Sequence, residues 1–306
     1  MSEPPANLAW DPATHEDRRV AVRPQAGLER RLVASPLRFR RIELKYVIPE
    51  RLVEQFTDRI SPFTEFDPFL KATGRSSYPV TSLYFDSFDL QCLFEKEAGL
   101  LARRKVRLRT YDGDFSTEGT AFLEIKRRHD FLVSKDRLPL SIGDEEEGSS
   151  PRGTLRHLLR RVKEVGQHVI DEAKTLDAWY NLRSTAMVAY DRIAFVSKED
   201  PELRLTIDRD LKGVWRPPAL RGPMPYRRCG IHPVIPRLVA YGTHRAPGPD
   251  PLEATAYSIV EFKFASGIPG WLHNIVIDMQ LMRSAYSKYA FAVRNLRPNL
   301  YESMED

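Results

Sequence analysis

The sequence predicts an α+β protein built on an antiparallel β-barrel of about eight strands, a tunnel with a charged interior and helices packed on the outside. Three observations carry this. At least six segments alternate ionic and apolar residues with the two-residue period of a strand. Their ionic faces are dominated by Arg, Lys and Glu rather than the Thr, Ser, Gln and Asn of ordinary solvated faces, with cations in excess. Helical segments lie between the strands and need an apolar surface to pack on, which the strands' other faces supply from outside. The sheet then closes with its charged face inward.

Composition narrows the class. The chain has 306 residues, 42% hydrophobic and 29% charged, a soluble globular balance with room for one large domain and additions. No stretch approaches the roughly 18 to 20 apolar residues of a membrane span. Met1-Ser-Glu-Pro-Pro-Ala lacks the basic-then-apolar pattern of a signal peptide, so a cytoplasmic protein is expected. Cys92 and Cys229 lie far apart with no Cys/His cluster, which argues for free thiols rather than a disulfide framework or a zinc site. The 47 Lys and Arg are largely offset by 42 Asp and Glu, leaving +5, too diffuse an excess to indicate nucleic acid.

Residues 1–36, rich in Pro, Ala and Arg, read as a flexible or loosely docked tail. The main domain is expected over 37–295, with a C-terminal tail over 296–306. The first strand, 39–48, sets Glu43 and Lys45 on one face against Ile42, Leu44, Tyr46 and Ile48. Pro49 opens a helix to about Ile60. Tyr78 to Asp86 is a strand, and Ser87 to about Ala98 a short helix capped by Asp86 or Ser87 and ended by Gly99. The run Arg103-Arg-Lys105-Val-Arg107-Leu-Arg109 follows, with its cations on one face and Val106 and Leu108 on the other. Asp112-Gly113-Asp114 turns the chain into Thr120–Arg128, where Phe122, Glu124, Lys126 and Arg128 oppose Leu123 and Ile125; 131–135 continues the sheet.

Helical spacing of Leu155, Leu158, Leu159 and Val162 predicts a helix over 151–165, and a second stretch follows near 171–181. Strands return at Ala186–Ser197, where Tyr190 and Arg192 share a face, and at Glu202–Asp208, where Arg204, Thr206 and Asp208 do. Residues 217–251, dense in Pro, Gly and Arg, read as an irregular insertion. The last strand, Tyr257–Phe264, carries Glu261 and Lys263 on one face, and a helical region is expected from Trp271 to about Val293.

Glu-x-Lys thus occurs on three strands, as Glu43/Lys45, Glu124/Lys126 and Glu261/Lys263. Taken singly, each is an ordinary half-wet strand. Taken together, a lumen lined by Arg and Lys cannot stay unpaired, and it needs an anion. A polyphosphate chain or a nucleotide triphosphate is slender, multiply charged and suited to guanidinium contacts.

The motifs resemble the VTC domain of polyphosphate polymerases, within the triphosphate tunnel metalloenzyme or CYTH-like superfamily. The resemblance rests on Glu43-Leu-Lys45-Tyr46, Tyr84-Phe85-Asp86, Arg104-Lys-Val-Arg107-Leu-Arg109, Leu123-Glu124-Ile-Lys126, Ser134-Lys135, Tyr190-Asp-Arg192, Arg204-Leu-Thr206-Ile-Asp208, Val260-Glu261-Phe-Lys263 and Ser287-Lys288-Tyr289, in order over roughly residues 38–290. It implies a tunnel that binds ATP and Mn²⁺ or Mg²⁺ and transfers the terminal phosphoryl group onto inorganic polyphosphate. Lys45, Arg107, Arg109, Lys126 and Arg192 would then be catalytic. Lys105, Lys135, Arg204, Lys263, Ser287 and Lys288 would hold phosphate or nucleotide. Glu261 would hold the metal, while Glu124 would share it or orient Lys126. Related tunnel hydrolases and cyclases begin Glu-x-Glu-x-Lys, whereas this chain has Arg41-Ile-Glu43-Leu-Lys45, which favours a longer polyanion. A tunnel triphosphatase or polyphosphate hydrolase, and a non-catalytic polyphosphate or nucleotide sensor, remain as alternatives. Eukaryotic members work in membrane complexes, so a peripheral position at the inner face of a membrane, beside a membrane-protein partner, is also implied.

Overall fold

The computed structural model describes residues 42–115, 119–129, 132–141, 166–229, 256–265 and 267–297, with 155, 156, 159 and 300. The predicted tail over 1–36, the acidic segment Asp144 to Ser150, most of the 151–165 helix and residues 230–251 lie outside the described residues. The strands are β1 (Ile42–Pro49), β2 (Thr64–Phe66), β3 (Tyr78–Asp86), β4 (Ala102–Thr110), β5 (Thr120–His129), β6 (Leu132–Ser141), β7 (Arg183–Ser197), β8 (Arg204–Trp215), β9 (Arg227–Arg228) and β10 (Tyr257–Phe264). The helices are α1 (Val53–Ile60), α2 (Pro68–Thr73), α3 (Gln91–Glu97), α4 (Gln167–Tyr180), α5 (Gly270–Asp278) and α6 (Lys288–Leu296).

Eight strands form one continuous path, β1-β10-β8-β7-β3-β4-β5-β6, with β2 beside β7 and β9 beside β8. Every pairing is antiparallel, and the sheet curls into a half-barrel. Register aligns the ionic residues across neighbours. Lys45 faces Glu261, Glu261 faces Thr206, Asp208 faces Arg192, Arg107 sits between Tyr84 and Glu124, and Glu124 faces Arg137. Since residues two apart share a face, this puts these ionic residues together on the inner surface of the curl.

The outer surface is apolar and helix-covered, as the alternation requires. Val53, Phe56 and Ile60 of α1 and Leu272 and Ile275 of α5 pack on Tyr46, Ile48, Leu205, Ile207, Val260 and Phe262. Val169, Ile170, Ala173 and Leu176 of α4 pack on Leu83, Val106, Leu108, Leu123, Ile125 and Leu138. Full burial of each large aliphatic here stabilises by roughly 1.5–3 kcal/mol before ordering entropy is set against it. No helix among the described residues is long and apolar enough to cross a membrane.

Several boundaries differ from the sequence reading. β6 runs on to Ser141 through Pro139, which an end strand tolerates because its outward N–H needs no partner. β8 runs to Trp215, past Asp210 in a left-handed conformation and beside a register shift in its pairing with β7. The C-terminal helical region is two helices rather than one. The break carries Gln280 at φ 50°, the amide of Ser284 donates to the Lys45 carbonyl, and the Ser287 hydroxyl caps α6 by accepting from the Ala290 amide. α6 also packs with residues of the inner parity, including Tyr84, Val188 and Ile259, unlike α1, α4 and α5.

Candidate functional site

The inner band holds three charged clusters. The first centres on Glu124, whose carboxylate is 1% exposed. One of its oxygens accepts from Arg107 Nε at 2.8 Å and Nη2 at 2.6 Å; the other accepts from Arg137 Nε at 2.8 Å and Nη2 at 2.7 Å. Lys135 lies 3.4 Å away and Arg109 3.9 Å. Burial would raise the Glu124 pKa, but Arg107, Arg109, Lys135 and Arg137 outweigh it and hold it well below the ordinary carboxylate value. Arg109 donates to Ser82 Oγ at 3.0 Å and to the Tyr190 hydroxyl at 3.3 Å, and Arg107 donates to the Tyr84 hydroxyl at 3.0 Å. Burial of Tyr111 is likewise overcome by Arg109 and Arg137, which bring its hydroxyl down to about 8.

The second cluster pairs Arg192 with Asp208 through two bonds, 2.6 and 2.8 Å, while Lys288 approaches the same carboxylate at 2.5 Å. Against burial, Arg192 and Lys288 pull Asp208 down to about 2. Lys288 is the first residue of α6, so the inward packing of that helix is what delivers this cation from outside the sheet.

The third cluster joins β1 to β10. Lys45 is 2.8 Å from Glu43, Lys263 is 2.9 Å from Glu261, and Lys126 on β5 reaches Glu43 at 3.4 Å. Burial raises and Lys263 and Lys45 lower the pKa of Glu261, with the net well below the ordinary value, and Glu43 lies within hydrogen-bonding reach of it. Beside Glu261 in register sits Thr206, whose buried hydroxyl has no partner among the described residues. Glu261, Glu43 and Thr206 therefore offer hard oxygen donors that fit a divalent cation carried in with phosphate oxygens and water. Glu124 fits this role less well, because each of its oxygens is gripped by two nitrogens of one rigid guanidinium at 2.6–2.8 Å, whereas Glu43 and Glu261 are met by single ammonium groups on flexible stems. Among the described residues no group of three or more His, Cys, Asp or Glu gathers as a metal cluster.

Lys105 lies apart from these pairs, donating to Ser287 Oγ at 3.0 Å. Burial and the nearby Lys126, Lys96 and Lys45 push its pKa down to about 7. Burial also dominates at Lys126, lowered to about 8 despite Glu43. The start of α6 is fixed by Tyr289, whose hydroxyl donates to Asp86 Oδ2 at 2.5 Å and whose ring stacks on Tyr84 with centroids 5.1 Å apart. Asp86 is fully buried and also accepts the amides of Ser87, Cys92 and Leu93.

The structure puts Lys45, Lys105, Arg107, Arg109, Glu124, Lys126, Lys135, Arg192, Glu261 and Lys263 on the inner band, and Ser287 and Lys288 at the start of α6 beside it. Arg204 stands exposed at the start of β8, opposite Lys263. Lys126 bonds Glu43 rather than Glu124. Arg103 turns to the Lys96 carbonyl at 3.2 Å. Sequence reasoning missed Arg137, although Lys135-Asp-Arg137-Leu-Pro139-Leu alternates as clearly as the other strands. It also assigned no role to Glu43, Asp208 or Tyr84, the partners that hold the cations.

Comparison with known proteins adds the family. The VTC domain matches residues 40–297. No curated protein matches. Similar solved structures include a candidate adenylate cyclase from Bacillus halodurans (13% identity, TM-score 0.41, 80% of this chain and 92% of that one). Another is a candidate adenylate cyclase from Vibrio parahaemolyticus (11%, 0.37, 83% and 97%), and a third is the PH1819 protein from Pyrococcus horikoshii OT3 (8%, 0.37, 83% and 99%). The family match spans well over half of the sequence, and the chain belongs to the VTC domain family.

Proposed function

We propose that the chain is a metal-dependent phosphotransferase that moves the terminal phosphoryl group of ATP onto a growing inorganic polyphosphate chain within the curled sheet. The observation that carries this reading is the surplus of cations on the inner band, where the buried carboxylate of Glu124 is shared by Arg107, Arg109, Lys135 and Arg137. Such a surplus repels itself and is relieved by a ligand with many negative oxygens. Arg107, Arg109 and Arg192 are the planar donors suited to phosphoryl oxygens, and Lys45, Lys126 and Lys288 supply point charges beside them. In phosphoryl transfer the charge spreads over oxygens in a loose transition state, so positioned cations do most of the work. A phosphate acceptor is already ionised near neutral pH and needs no strong base.

Glu261, with Glu43 and Thr206, would hold Mn²⁺ or Mg²⁺, which when bound neutralises charge on the transferred phosphoryl oxygens. The test is incubation of purified protein with ATP and Mn²⁺, reading chain product and ADP. Chain with stoichiometric ADP supports the reading. Free phosphate as sole product assigns a hydrolase, and salt-sensitive polyphosphate binding with no turnover assigns a sensor.

A further inference from the structure

Lys105 and Ser287 form a pair that phosphate binding alone does not require. Nζ of Lys105 is 3.0 Å from Ser287 Oγ. The groups that bear on Lys105 most are Lys126 on β5, Lys96 on α3, Lys45 on β1, the Cys92 thiol and the Tyr289 ring, and the Asp86 carboxylate behind the last two is taken up by the Tyr289 hydroxyl and the Cys92 amide. A half-buried hydroxyl beside a lysine in such company is the arrangement of a nucleophile with its base.

We propose that Ser287 is itself a phosphoryl acceptor, its hydroxyl attacking the terminal phosphorus of a bound nucleoside triphosphate while Lys105 takes the proton. The inference rests on the phosphotransferase reading above. A bond forms between Ser287 Oγ and the terminal phosphorus, and the bond from that phosphorus to the bridging oxygen breaks. The nucleoside diphosphate leaves with that electron pair, and the hydroxyl proton ends on Lys105 Nζ. Lys105 suits the task because burial and its cationic neighbours bring it to about 7, so a large share is neutral at that pH. In the ammonium form Lys105 donates to Oγ, but once neutral it accepts the hydroxyl proton instead, and of the two Oγ lone pairs only the one that accepts from the Ala290 amide is then engaged, leaving the other for attack. The product phosphoserine would be held by the new Lys105 ammonium and by Lys45, whose Nζ already lies 3.4 Å from the adjoining Tyr286 carbonyl. A phosphate fixed there would be the first link of a protein-attached chain.

The experiment incubates the full chain with γ-labelled ATP and Mn²⁺, maps label by peptide mass spectrometry, and measures ADP and polyphosphate in the same tube. Ser287→Asn keeps a capping side chain but offers no hydroxyl, and Lys105→Arg keeps the charge but not the base. Label on Ser287 that is lost in both variants, with a rate rising as pH passes about 7, is expected. ADP and chain without label on Ser287 would overturn the proposal and leave the phosphotransferase reading standing. Label that persists in Lys105→Arg would overturn the base role, and absence of ADP, chain and label together would overturn both readings.

Discussion

Replacing Glu124 by Gln removes the carboxylate on which four inner cations converge, and both its cost and its remedy follow from the geometry. Arg107 and Arg137 each place two nitrogens within 2.8 Å of this 1%-exposed group, and Lys135 and Arg109 complete the ring at 3.4 and 3.9 Å. Breaking such a buried constellation typically costs about 3–5 kcal/mol, and the lower end applies because the amide oxygen still accepts from one guanidinium. For a domain of this size, about 3 kcal/mol corresponds to a drop of roughly 6–12 °C in melting temperature. A polyanion restores what the substitution removes. In metal-free buffer with chelator, tripolyphosphate is therefore expected to raise the melting temperature of Glu124→Gln by at least as much as that of the wild type, because no internal carboxylate competes for the same nitrogens. Melting within about 1 °C of wild type would refute the pairing argument. Much weaker stabilisation by tripolyphosphate in the variant, again without metal, would refute the competition argument. A loss confined to Mn²⁺-containing buffer would instead make Glu124 a metal ligand.

Arg107→Ala should abolish turnover while lowering the melting temperature by only a few degrees, since Arg137, Lys135 and Arg109 still surround Glu124; calorimetry beside the ATP assay checks both. Asp208, held near pKa 2, contributes stability that is complete above its ordinary value of 3.8 and lost as pH falls through 2, so acid unfolding of Asp208→Asn should show a shallower pH dependence across that window. Lys105 has the opposite consequence: its folded pKa lies near 7, below the 10.5 of the unfolded chain, so the unfolded chain binds more protons in between and stability rises with pH there. Lys105→Met should therefore melt higher than wild type at neutral pH and lose that advantage towards pH 10. Tyr289→Phe leaves the buried Asp86 without one donor, which costs about 1–3 kcal/mol and should raise amide exchange at the start of α6.

β3 and β10 could be read from the sequence to the residue, because their period-two alternation is bounded by turn and cap signals on both sides. The sequence reading of this strand stops at Lys135, whereas β6 runs to Ser141, its Pro139 tolerated because the strand lies at the end of the described sheet. The shorter range leaves out Arg137, one of the two guanidinium groups closest to Glu124. The inner parity of the cations follows from alternation, but which carboxylate holds which cation depends on register between strands far apart in sequence. The pairing of Lys126 with Glu43 joins residues 83 apart, and no local pattern encodes it. The placement of α6 was equally hidden, since an amphipathic helix shows the same periodicity whichever side of a sheet it covers.

The two end strands of the path also bear on whether copies of this chain can add to one another. An unpaired edge is a template for a foreign strand, and both ends here are spoiled as templates. On β1, the Ser284 amide already occupies the Lys45 carbonyl and Arg283 bridges Tyr46. On β6, Pro139 removes a donor, and Lys135 and Arg137 would meet their own like charges on an incoming identical edge. The same residues that hold charge inside the sheet thus also discourage its growth into fibrils, so substitutions that neutralise Lys135 and Arg137 act on solubility as well as on the site.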